Sequence, residues 1–117
     1  MSEKMTKERL KKLSSLNREI ERTQKRLDAY ANQQNKGKRS KTAISTAESA
    51  LEKYRAEAKA EAAELMNYIE SIPDAHLREI FMLRYYDGIR SWQRIAFLAG
   101  DHDESYVRRM HDRYLRG

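Results

Sequence analysis

The residues best equipped for chemistry lie near the C-terminal end of the sequence. Ser105, Tyr106, Arg108, Arg109, Asp112 and Arg113 take the outward positions of a helix whose inward positions are Val107, Met110 and Tyr114. A guanidinium is a planar fork of donors that grips guanine or phosphate through two parallel hydrogen bonds, whereas a lysine ammonium acts as a point charge. Beyond Lys59 every cationic side chain is Arg. The chemistry implied is recognition of an acidic, hydrogen-bonding surface such as double-stranded DNA. The competing reading is a wet helix face that carries Arg for solvation alone.

Bond-making chemistry finds little support. His76, the run Asp101-His102-Asp103 and His111 supply ligand-type side chains, yet none has the His-Glu-x-x-His spacing that sets two ligands on one helical face. Cysteine is absent, which removes thiolate metal sites and disulfides, and no Gly-rich loop is present to cradle a phosphate. The expectation is therefore no enzyme, no metal and no cofactor.

Three short helices are expected to position the Arg row. Pro73 suits the first position of a helix carrying Leu77, Ile80, Phe81, Leu83 and Tyr85, and Asp87-Gly88 stops it. Ser91 offers an N-cap for a second helix with Trp92, Ile95, Ala96 and Leu98, which Gly100 ends, and Asp103 can cap the last. At this spacing Trp92 reads as core rather than as a base-stacking platform. The layout is that of a helix-turn-helix module over residues 73–117, with the last helix entering a major groove.

The first 72 residues have a different pattern. Leu13, Leu16, Ile20, Thr23, Leu27 and Tyr30 form one stripe, and Ile44, Ala47, Leu51, Tyr54, Ala58, Leu65, Tyr68 and Ile72 a second, interrupted at Glu61. The spacing predicts helices over about 4–30 and 42–71, joined by the polar connector 31–41. Glu8 with Lys12 and Glu21 with Lys25 are acid-before-base pairs one turn apart. Residues 1–41 hold 13 basic and 5 acidic side chains, and residues 42–72 hold 3 and 6. Such opposite charges favour an antiparallel hairpin, with a parallel coiled coil as the alternative.

Two helices alone bury little, so a second copy is expected to complete a bundle through Leu13, Leu16, Ile20, Leu27, Ile44, Leu51, Tyr54 and Leu65, giving a homodimer or higher homo-oligomer.

The whole chain of 117 residues agrees with an all-α fold: charged residues make up 36%, with one Pro and four Gly. The net charge of +6 suits a nucleic-acid partner and equally a lysine-rich solvated helix. No apolar run approaches the ~20 residues of a membrane span and no signal-type segment opens the sequence, so a cytoplasmic protein is expected.

Leu83-Arg84-Tyr85-Tyr86-Asp87-Gly88, Ser91-Trp92-Gln93-Arg94-Ile95-Ala96 and Ser105-Tyr106-Val107-Arg108-Arg109-Met110-His111-Asp112-Arg113 together resemble phage and prophage late-gene transcription regulators of the ArpU and RinA type. The resemblance covers about residues 72–115. It implies a helix-turn-helix similar to region 4 of sigma-70 factors. It also implies DNA contacts at Ser105, Tyr106, Arg108, Arg109 and Arg113, backbone contacts at Gln93 and Arg94, and RNA polymerase as a further candidate partner. Two departures stand out: Ala99 precedes the turn Gly where the family has Leu, and the turn is one residue longer and acidic from Asp101 to Glu104. A coiled-coil adaptor and a small-terminase-like DNA-packaging subunit are the alternatives from other functional classes.

Overall fold

The computed structural model describes residues 6–32, 38–101 and 103–117, with backbone only for 38–40. Its elements are α1 (Lys7–Leu10), α2 (Lys12–Ala31), α3 (Lys38–Glu70), α4 (Ala75–Phe81), a π-helical turn (Met82–Tyr86), α5 (Trp92–Leu98) and α6 (Glu104–Arg116). Among the described residues there is no strand. The protein is all-α, with long helices first and short ones after.

Several boundaries differ from the expected ones for local reasons. The first helix begins at Lys7 because the Thr6 hydroxyl accepts from the Arg9 N–H at 3.1 Å, an N-cap. The expected start near residue 4 and the connector residues 33–37 lie outside the described residues. Lys11, itself in the helical region, joins α1 to α2. The third helix starts at Lys38 instead of about 42, since Lys38 to Lys41 contains neither Gly nor Pro to stop it. Pro73 precedes the next helix instead of opening it. Asp74 is the N-cap there, its carboxylate accepting from the His76 and Leu77 N–H groups at 2.9 and 3.3 Å. Arg78 turns back and donates to the carbonyls of Ile72 and Pro73, at 2.6 and 3.1 Å, closing the end of α3.

Helices α2 and α3 lie antiparallel. Arg9 donates to Glu61 at 3.1 Å at one end, and Arg55 donates to Gln24 at 3.1 Å farther along. Glu61, the interruption in the apolar stripe, is 6% exposed and is held by Arg9 and by Lys12 at 3.6 Å. Lys12 thus reaches across to α3, while the pair Glu21–Lys25 forms along α2 at 3.4 Å. A buried carboxylate with two cationic partners adds little net stability but disfavours any register that strands it.

The core gathers at one end of this helix pair. Leu10, Leu13 and Leu16 share one cluster with Leu65 and Ile69 of α3 and with Ile72 just beyond it, and the same cluster continues through Leu77, Ile80, Phe81 and Tyr85 to Ile95, Ala96 and Val107. The C-terminal helices therefore share apolar packing with the long ones. Phe81 is its centre, with ring centroids at 5.1–6.3 Å from Tyr68, Tyr85, His111 and Tyr114. Towards the other end, no third helix among the described residues joins the pair in this cluster. The radius of gyration of 18.5 Å is well above the roughly 13–14 Å of a compact chain of this length.

Candidate nucleic-acid interface

The short helices are defined by their caps. The Ser91 hydroxyl accepts from the Arg94 N–H at 3.2 Å and starts α5, which buries Ile95 and Ala96. Gly100, at φ +82°, ends it: the Gly100 N–H donates to Phe97 O at 3.2 Å and the Asp101 N–H to Ala96 O at 2.8 Å. This pair of bonds requires a left-handed residue between the helices, which glycine supplies without strain. Asp103 then caps α6, accepting from the Ser105 N–H at 2.9 Å. Val107 and His111 are the buried face of α6.

On the opposite face Ser105, Tyr106, Arg108, Arg109 and Arg113 are all exposed, and Gln93 and Arg94 are exposed on α5. Asp112 stands apart from this set. It is half-buried, accepts from His111 Nδ1 at 2.9 Å and faces Lys7 Nζ at 3.6 Å, so it ties α6 to α1. Partial burial works to raise its pKa, but the His111 hydrogen bond and the Lys7 charge outweigh that and hold the carboxyl below its usual value.

His111, a ligand-type residue in the sequence, is a core side chain at 2% exposure. Its Nδ1–H donates to Asp112, and its Nε2 accepts from the Tyr85 hydroxyl, an arrangement that fits a neutral imidazole. Burial lowers the His111 pKa and pushes the Tyr85 phenol up to about 12. The signal for its burial is its place one turn after Val107, on the same helical face. Trp92 packs edge-on against His111 at 4.8 Å, and the Arg84 guanidinium lies 4.3 Å from the Trp92 ring centroid. Arg84 also donates to the carbonyls of Ile89 and Arg90, so it braces the turn before α5.

Between α5 and α6 runs an open groove of about 910 Å³, lined by Arg94 but also by Asp101, Asp103 and Glu104. Two of these carboxylates have structural work: Asp103 caps α6, and Asp101 meets His76 Nε2 at 2.5 Å. The acidic turn thus fastens α6 to α4 and α5, and the cationic part of α6 begins one turn later at Arg108. Phe97 on the groove wall is 79% exposed, and Leu98 and Tyr106 are exposed to a little under half.

The residues expected to bind a second copy are used largely within the chain. Leu13, Leu16, Leu51 and Leu65 are buried, Ile20 and Tyr54 pack partly against the core, and Leu27 and Ile44 are half-buried. Among the described residues no cluster of three or more His, Asp or Glu side chains could hold a metal ion. No described helix is long and apolar enough to cross a membrane.

No family model matches the sequence, and comparisons with curated proteins and with solved structures find no match.

Proposed function

We propose that this protein is a sequence-specific DNA-binding transcription regulator of phage or prophage type, cytoplasmic and non-enzymatic, that acts near a promoter. The observation that carries the reading is the exposed row Ser105, Tyr106, Arg108, Arg109 and Arg113 on a capped helix whose other face is locked into the core. The turn at Gly100 and the resemblance to ArpU- and RinA-type regulators support the same reading. In this view α6 enters the major groove, Gln93 and Arg94 touch backbone phosphates from α5, and RNA polymerase is a further partner. A homo-oligomer belongs to the proposal, because two recognition helices would read two half-sites about one helical turn apart. The under-covered far half of the α2–α3 pair, where Leu27 and Ile44 are half-buried, is where a second copy would add cover.

The test is selection from a pool of random duplexes at near-physiological salt, with wild type beside an Arg108→Ala, Arg109→Ala variant. The expected result is a repeated half-site motif that the variant loses, at about 1–3 kcal/mol for each base read in bidentate fashion. No enrichment by the wild type overturns the reading.

One observation favours a second reading. Phe97, at 79% exposure, adjoins the exposed Leu98, and it is contiguous apolar patches that mark docking sites for proteins. An adaptor or packaging subunit that binds another protein through α5 would use it.

A further inference from the structure

A second cleft, of about 240 Å³, lies where α2 meets the turn before α5, and it has the opposite electrostatic character to the α5–α6 groove. Lys11, Ser14 and Arg18 line it from the α2 side, and Arg84 and Arg90 from the other, with no carboxylate among the described residues of the lining. The ion pairs among the described residues engage none of these four cations.

The cleft is held in shape. Arg84 is fixed by the carbonyls of Ile89 and Arg90 and by the Trp92 ring, interactions that orient its guanidinium without neutralising it. Gly88, at φ +76°, brings the turn close to α2: a Cβ there would lie 3.6 Å from Ser14 Oγ. Helix α2 and the turn therefore present their donors at a fixed separation. Gathering four like charges without an acid is unfavourable in isolation and becomes favourable when an anion is bound.

We infer that this cleft binds a phosphodiester group of duplex DNA, with Arg18 of α2 and Lys11 at its N-terminal end as the donors on the side of the helix pair. The inference rests on the DNA-binding reading above and extends it: the helix pair is part of the DNA interface as well as its scaffold. Arg90 immediately precedes Ser91, which caps α5 and lines the α5–α6 groove, so the ligand proposed is the backbone flanking the site read by α6. Lysine, arginine and a serine hydroxyl are the donors that position a protein on phosphates without reading sequence.

The experiment uses the full chain as Lys11→Ala, Arg18→Ala, a pair that avoids the buried core and leaves the bracing Arg84 in place. Binding to a mixed-sequence duplex is measured across a salt series, with circular dichroism to verify equal helicity. The expected result is weaker binding of every sequence alike and a salt slope shallower by about 0.9 for each phosphate that the variant leaves unneutralised. A Lys11→Arg, Arg18→Lys variant of equal charge should keep the wild-type slope. If the wild type binds DNA and the alanine variant matches it in affinity and slope, the cleft proposal is overturned and the regulator reading stands. If the wild type binds no duplex, both fall together.

Discussion

The two ends of the α2–α3 pair are written in the same heptad language and fold into different environments. At the near end Leu13, Leu16, Leu65 and Ile69 are covered a second time by α4 and the π-helical turn, so each apolar side chain has neighbours beyond the partner helix. At the far end the seam holds Thr23, Ala47 and Leu51, with Tyr30 and Ala43 only half-buried, and a groove of about 390 Å³ remains between the helices. Thr23 satisfies its hydroxyl by donating to Glu19 O at 2.7 Å, within its own helix. Burial by a third layer, more than the apolar repeat itself, therefore decides where this chain is stable, and local opening should begin at the far end.

The largest effect expected from this contrast is at Phe81. It is fully buried where α3, α4 and α6 converge, so Phe81→Ala should cost about 3–5 kcal/mol by removing its burial and leaving a cavity. Chemical denaturation read by circular dichroism should show the long and short helices destabilised together. Unfolding of the C-terminal helices alone, with α2 and α3 retained at wild-type stability, would show the shared core to be energetically divided.

A smaller, pH-dependent effect is expected from His111, at the same end. Its folded pKa lies below its unfolded value because burial disfavours the charged ring. The unfolded chain therefore binds the proton first as pH falls through about 6.5, and stability is lost on acidification. The slope contributed can reach about 1.4 kcal/mol per pH unit and no more. His111→Gln, which can still donate to Asp112 and accept from Tyr85, should flatten the loss between pH 7 and 5. An unchanged pH profile would remove His111 as its source. At the alkaline limit the sign reverses through the phenols: Tyr85 and Tyr68 are pushed up to about 12, mainly by burial, so stability should fall as pH rises past 10.

Much of this arrangement is legible in the sequence, and the failures are instructive. Helix content follows from the three-and-four spacing and the scarcity of Gly and Pro. Ser91, Gly100 and Asp103 are recognisable as caps because capping chemistry is local. Helical spacing puts Asp112 with the outward Arg row, since it gives a direction but does not say that Lys7 will lie across from it. Glu61 looks like a flaw in the stripe because its partners Arg9 and Lys12 belong to another part of the chain. The cleft around Arg84 is invisible for the same reason, being assembled from α2 and a turn far along the chain. What depends on neighbours in sequence can be read; what depends on tertiary approach cannot.

The smallest expected effect tests the far end itself. Leu27 lies in the apolar stripe but is only half-buried, so Leu27→Ala in a monomer should cost about 1 kcal/mol, far less than the change at Phe81. The measurement is a denaturation midpoint taken over a range of protein concentrations. A small loss independent of concentration means that the far half ends at solvent, as its open groove suggests. A loss approaching that at Phe81, growing with protein concentration, means that a second copy supplies the missing layer, because only association couples stability to concentration. The comparison would then be between an end covered by the chain's own helices and an end covered by those of its partner.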